Sequence, residues 1–489
     1  RCSEENAILD GIETNMNVPL SDFIGTLPIS ALTAVSLIGL IVVAFPGKSG
    51  KTCFSLSVVG LMACIGISLS TFDLNGAAFN NMVMIGGYAS YFETLFLIAA
   101  LLTILLSRPY LEEEHAHHGE YYLLILFATI GMMLMASGLD LIITFLGLEL
   151  MSICLYVLAG FFRKRVKSNE SALKYFLLGA FATGFFLYGI ALVYGASGTT
   201  SLKAIADQQT SLSTLPMFWI GVGFLVIGFS FKIAAVPFHM WVPDVYEGSP
   251  TTVSAFMSTG AKAAGFGAFV LVMLHFLMDG DEKVNSILAI IAAASMILGN
   301  IVAISQNNLK RMLAYSSIAH AGYMLIGLAA ANTLGQRGIV YYVTAYTFMN
   351  IGAFGVLSVF ERQEDKNLTF DDYAGLGFRR PFLAALMSIF MFSLSGIPPF
   401  AGFFGKYYIF VSAIQADMTW LAIVGVLTSV VSVYYYLRLV VFMYFREGKV
   451  VLTNNVSKLS IVALTAAAMG VIQLGVFPST VLELTGKLF

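Results

Sequence analysis

Lys174, Lys232, Lys262 and Lys406 stand in or near the middle of strongly apolar stretches of the chain. A Lys at the centre of a membrane-spanning helix costs about 2.5–3.5 kcal/mol on insertion scales. Four would ask for roughly 10–14 kcal/mol if all were central, a load that a chain selected only to span a membrane would not carry. Ionisable groups at that depth face the bundle interior and by default mark an ion or proton path. Glu149, in Phe145-Leu-Gly-Leu-Glu-Leu-Met-Ser152, is the one acid near the centre of its run. Burial and pairing act on the charge of such groups in opposite senses. A Glu149–Lys232 ion pair would therefore be tunable, with Lys232 holding or releasing a proton as the carboxylate's influence changes. A structural salt bridge between two helices is the other use of the same pair.

Lys262 lies amid Ser258, Thr259, Gly260 and Gly265, small neighbours that leave room for water. Ser316, His320 and Tyr323 fall at i, i+4 and i+7 and so share one helix face. That stripe suits a hydrated path between Lys262 and Lys406. For His320 alone, a satisfied core histidine and a proton relay fit equally. Lys174 stands one turn inside its run, near the basic segment Arg163–Lys167, where snorkelling to the interface and proton uptake are both open. Arg438 reads as a snorkelling side chain and is too basic to cycle its proton. Glu93 is expected at the membrane interface.

The elements that must position these groups are helices. Hydrophobic residues make up 58% of the 489 and charged ones 11%, against roughly 25% charged in a soluble domain. Fourteen apolar runs are long enough to span a bilayer, at about 23–45, 53–72, 88–107, 121–138, 140–161, 172–195, 216–239, 251–275, 285–304, 309–331, 336–360, 383–415, 418–445 and 459–484. None shows the alternation of a barrel strand, so the expected fold is an all-α polytopic membrane protein with one domain over 23–484. Residues 1–22 read as a polar leader, with Met16 as a possible start. The connections after the odd-numbered spans hold sixteen of the 26 Lys and Arg, and the opposite side holds five. That bias puts the odd-numbered connections in the cytoplasm and both termini outside. Cys53, Cys64 and Cys154 read as small apolar residues of the spans. The run Glu112–His118 could bind a metal in principle, but a solvated loop with accidental His density is the preferred reading. Nucleic-acid binding is not expected.

Pro237 interrupts the seventh run and would leave the Ile233 carbonyl without its i+4 donor; Pro398 and Pro399 do the same to Leu394 and Ser395 in the twelfth. Interrupted helices five spans apart, each near a lysine, point to two inverted five-helix repeats, about 121–275 and 285–445, with the active groups at the breaks. Ordinary proline kinks are the alternative.

Three segments then become recognisable. Phe231-Lys-Ile-Ala-Ala-Val-Pro-Phe-His-Met-Trp-Val-Pro-Asp-Val-Tyr-Glu-Gly-Ser-Pro250, Asn308-Leu-Lys-Arg-Met-Leu-Ala-Tyr-Ser-Ser-Ile-Ala-His-Ala-Gly-Tyr323 and Gly396-Ile-Pro-Pro-Phe-Ala-Gly-Phe-Phe-Gly-Lys406 resemble the signatures of antiporter-like subunits of respiratory complex I. The likeness extends over nearly the whole chain after the leader. It is strongest to the N-type branch, the mitochondrial subunit 2 type, from the wording of the first segment, the lysine at 406 and the stop after span fourteen. The resemblance implies a proton-translocating subunit of a quinone oxidoreductase, with Glu149 and Lys232 as coupling pair, Lys262 as central relay and Lys406 as distal release lysine. It implies no cofactor in this chain; flavin, iron–sulfur clusters and quinone would sit in partner subunits, with NADH or ferredoxin as donor. Partners would be other membrane-arm subunits, including a neighbouring antiporter-like subunit and small membrane subunits, in a bacterial inner membrane. A subunit of a multisubunit sodium/proton antiporter and a purely structural subunit are the competing expectations.

Overall fold

The computed structural model describes residues 19–45, 49–276, 282–361, 368–448 and 456–488. Most of the polar leader, Met16 included, lies outside the described residues, as do Lys48, Arg362, Lys366 and Lys449. Thirteen helices among the described residues are long and apolar enough to cross a membrane. In order they are Leu27–Ala44, Ser49–Ser70, Gly87–Glu113, Gly119–Ser137, Leu141–Ala159, Val166–Ser197, Pro216–Ile233, Thr251–Phe276, Glu282–Ile304, Leu309–Ala329, Thr333–Phe360, Thr419–Phe445 and Lys458–Val476. The twelfth run of the sequence is here two helices, Pro381–Ser395 and Ala401–Gln415. At 15 residues each they are about 22 Å long, short of the ~30 Å hydrocarbon core, so they cross only as a pair. Counting that pair as span twelve makes Thr419–Phe445 and Lys458–Val476 spans thirteen and fourteen.

The near-continuous pair of runs around 138–140 is resolved by a cap. Asp140 adopts an extended conformation, accepts from the Ile142 amide at 2.8 Å and from the Thr200 hydroxyl at 2.7 Å, and so ends one helix and starts the next. The two-stranded hairpin of Asn75–Ala78 and Val83–Gly86 covers the turn between spans two and three.

The two interruptions have the same hydrogen-bond pattern. In span seven the amides of Ala234 and Ala235 bond the carbonyls of Phe231 and Ser230; in span twelve those of Gly396 and Ile397 bond Ser393 and Phe392. Both are Schellman-type ends with a left-handed residue, Ala234 at φ 67° and Gly396 at φ 84°. A short helix, Trp241–Gly248, follows the first and connects to span eight.

Enclosure separates the spans by role. The most apolar windows of spans eight, ten and eleven are 94%, 94% and 89% buried within the chain, whereas those of spans one and six are 22% and 33% buried. Spans eight and ten carry Lys262 and His320, so the chain sets these polar groups where its own side chains, not lipid, surround them. Glu93 on span three is 3% exposed, packed against span two with the Ser68 hydroxyl at 3.5 Å.

Candidate proton path

Lys232 ends span seven and is 6% exposed. Its ammonium donates to Ser152 Oγ on span five at 2.6 Å, with the rings of Tyr156 and Tyr175 at 5.9 and 6.0 Å. Trp241 stacks on Tyr175 at 4.4 Å and donates from Nε1 to the Phe231 carbonyl at 3.1 Å, which stoppers the break beside the lysine. The expected Glu149–Lys232 ion pair is not formed: no carboxylate oxygen lies within 4.0 Å of this ammonium among the described residues. Glu149 instead accepts from Thr183 Oγ1 on span six at 2.7 Å. Ser152, three residues beyond Glu149 on the same helix, accepts from Lys232 and donates its own proton to the Leu148 carbonyl.

Lys262, 2% exposed, begins the α-helical part of span eight directly after a π-helical turn, Met257–Ala261. Such single π turns concentrate at functional sites. Its ammonium donates to the carbonyl and the hydroxyl of Ser317 on span ten and lies 5.7 Å from the Tyr346 ring. The small residues around it serve close packing: a Cβ on Gly260 would meet Met132 Sδ at 3.0 Å, and one on Gly265 would meet Ile233 at 3.0 Å and Lys232 Cβ at 3.7 Å. Gly265 thus brings span eight against the helix end that carries Lys232.

From Lys262 the contacts continue along span ten. His320 is 1% exposed; Nδ1 meets Tyr342 OH at 2.8 Å and Nε2 meets Tyr436 OH at 3.0 Å. Tyr436 OH also bonds Ser316 Oγ. Both ring nitrogens therefore have phenolic partners, and in a neutral imidazole one nitrogen donates while the other accepts. Tyr323 lies 5.7 Å from the His320 ring and 4.9 Å below the Lys406 ammonium, and receives a bond from Asn300 at 3.0 Å. The expected stripe of Ser316, His320 and Tyr323 thus links side chain to side chain.

Lys406, 4% exposed, ends the line. Its three N–H donors meet three acceptors: Leu394 O at 3.2 Å, Ser395 O at 3.1 Å and Ser429 Oγ at 2.9 Å. The two carbonyls are those that Pro398 and Pro399 deprive of helical donors. The break creates the site, since carbonyls at a helix C-terminus carry partial negative charge. A Cβ on Gly396 would lie 3.0 Å from Lys406 Cδ and 3.3 Å from Nζ. Gly396→Ala should therefore displace the ammonium and depress proton translocation of the assembled complex at least about tenfold, beyond the roughly 1–2 kcal/mol of left-handed backbone strain. Ala234 already accepts that conformation in span seven, so Ala234→Gly should leave translocation intact.

Lys174 is apart from this line. It pairs with Glu170 at 2.7 Å and Asp244 at 2.6 Å and is 40% exposed. Arg311 completes the cluster, reaching Asp244 at 2.8 Å and Glu247 at 2.9 Å, with Lys167 on Glu247 at 3.2 Å. Outside the spans, burial alone would raise the Asp244 carboxyl, but Lys174 and Arg311 hold it below its ordinary value. The cluster fastens the connector after the span-seven break to spans six and ten. Arg311→Gln, which strips both acids, should lower the melting temperature of the assembled complex more than Lys167→Gln, which removes one contact of a half-exposed side chain. Arg438 is likewise engaged, donating to Gln306 O at 3.3 Å and Asn307 Oδ1 at 3.0 Å.

Sequence reasoning missed Ser152, Ser317, Tyr342, Tyr436 and Ser429. Tyr342 and Tyr346 stand at i and i+4 within Tyr341-Tyr-Val-Thr-Ala-Tyr346, a signal that was available; isolated serines carry none.

Residues 138–432 match the family described as NADH:quinone oxidoreductase/Mrp antiporter, TM. The chain belongs to that antiporter family. The matched segment contains every lysine of the path, with Glu149 and His320. Within the family the chain is 47% identical over 473 residues, 96% of each chain, to NADH-quinone oxidoreductase subunit N of Trichlorobacter lovleyi. It is 47% identical over 469 residues to subunit N 1 of Chloroherpeton thalassium, covering 95% of this chain and 98% of the relative. Among solved structures it resembles a chain of respiratory complex I from Thermus thermophilus with bound aureothin, at 34% identity and a TM-score of 0.81, covering 93% and 98% of the two chains. A chain of the Mrp complex from Dietzia sp. superposes with a TM-score of 0.83 over 95% and 97%, but at 19% identity, so there the likeness is of fold alone.

Proposed function

We propose that this chain is the N-type membrane subunit of a proton-pumping NADH:quinone oxidoreductase and that protons cross it along Lys232, Lys262, His320 and Lys406. The observation that carries the reading is the set of polar contacts around three buried ammonium groups and one imidazole: Lys232 on Ser152, Lys262 on Ser317, His320 on Tyr342 and Tyr436, and Lys406 on Ser429. Glu149 acts on Lys232 through its charge, without a direct ion pair, and is partly exposed on a face where Leu146 and Ile153 are 53% and 56% exposed. A carboxylate facing hydrocarbon is costly, which supports a neighbouring membrane-arm subunit over this face. Flavin, iron–sulfur clusters and quinone belong to partner subunits, and the chain works in a bacterial inner membrane with its basic connections in the cytoplasm. The matching Schellman ends at the two breaks support inverted repeats over 121–275 and 285–445.

The antiporter alternative has the shared family and a fold likeness at 19% identity, whereas the subunit N relative from Trichlorobacter lovleyi is 47% identical over 96% of the chain. Deleting the chain tests the choice. Loss of quinone-dependent electron transfer in membranes is expected; intact respiration with lost salt tolerance would contradict the proposal.

A further inference from the structure

We infer that the cleft between the connections 114–118 and 160–165 binds the headgroup of an anionic phospholipid drawn from the surrounding bilayer. The cleft encloses about 650 Å³ where spans three and five end and spans four and six begin. Three cations line it. Arg165 is satisfied by Glu114, while Arg163 and Lys164, both exposed, have no counter-ion among the described residues. Glu120 is the one other acid on the rim, so the cleft retains a positive excess before its histidines, His115 and His118, are counted. The backbone around these cations is fixed: Arg163 N bonds Phe161 O at 3.1 Å, Arg165 N bonds Phe162 O at 2.8 Å, and Asn169 holds the Arg163 carbonyl at 2.9 Å. Spans four and six both begin here without a side-chain cap, which adds the positive ends of two helices to the cationic side chains.

The remaining wall identifies the source of the anion. Leu124 and Val157 line the cleft; Val157 is 50% exposed, and Ile153, one turn deeper on the same face of span five, is 56% exposed. An apolar track therefore leads from the charged pocket down towards hydrocarbon depth. A soluble phosphate would use the cations and ignore that track, while a phospholipid uses both. Basic pockets between helix ends at the cytoplasmic surface suit anionic headgroups.

The test uses the purified, delipidated complex holding this subunit, retitrated with phosphatidylglycerol, phosphatidylcholine or glycerol phosphate, with bound lipid counted by mass spectrometry. The wild type should retain and rebind phosphatidylglycerol in preference to phosphatidylcholine. The Arg163→Gln/Lys164→Gln double variant should rebind phosphatidylglycerol at least about tenfold more weakly, as expected for removing two near-surface cations. Lys203→Gln, in the connection beyond the far end of the 32-residue span six, should leave binding unchanged. The inference is overturned by unchanged lipid retention in the double variant, or by an equal loss in Lys203→Gln, which would signify bulk charge. It is also overturned if glycerol phosphate displaces phosphatidylglycerol at matched concentration, or if the double variant sheds a polypeptide and keeps its lipid.

Discussion

Lys232→Ala is expected to lower proton translocation by the assembled complex at least about tenfold and to slow coupled quinone reduction with it. Among the described residues the ammonium has a single hydrogen-bond acceptor, Ser152 Oγ, so its removal leaves one hydroxyl to repack and not a broken ion pair. Assembly should survive for that reason. Glu149→Gln should be milder, because a neutral amide still accepts from Thr183 and only the electrostatic influence on Lys232 is lost. Proton uptake by sealed vesicles, read beside the subunit content of the purified complex, checks both; normal pumping in assembled Lys232→Ala would leave a scaffold as the better description.

Lys406→Arg is expected to impair translocation nearly as much as Lys406→Ala, although charge and approximate size are kept. A relay must lose its proton, and a guanidinium with a pKa above ~12 does not. The site also fits an ammonium specifically. Three acceptors converge on one nitrogen, two of them carbonyls of a helix end, whereas a planar fork presents five donors in a fixed geometry. Rates in reconstituted vesicles decide the matter. Wild-type pumping by Lys406→Arg alongside a dead Lys406→Ala would make the residue a fixed charge.

Much of this site was legible because membrane burial makes polar residues expensive. Lys232, Lys262 and Lys406 stood out as costs needing an explanation, and each is buried against hydrogen-bond acceptors. The positions of Pro398 and Pro399 mark out the Leu394 and Ser395 carbonyls that receive Lys406. Helical spacing placed Ser316, His320 and Tyr323 on one face, where the structure has them. The failures have physical causes too. Opposite charges on spans five and seven were paired by elimination, but pairing needs proximity, and the serine one turn from Glu149 was invisible as a partner. The hydroxyls of Tyr342 and Tyr436, on spans eleven and thirteen, gain their role from His320 lying between them.

The central claim is that Lys232 and Lys406 act in series on one route. It is tested most directly by the proton-to-electron ratio of the Lys232→Ala/Lys406→Ala double variant, measured in sealed vesicles beside the two single variants. Residues acting as one unit are non-additive. A series path predicts that the double variant loses no more protons per electron than either single variant. A double loss equal to the sum of two partial single losses would mean two separate routes and would contradict the account.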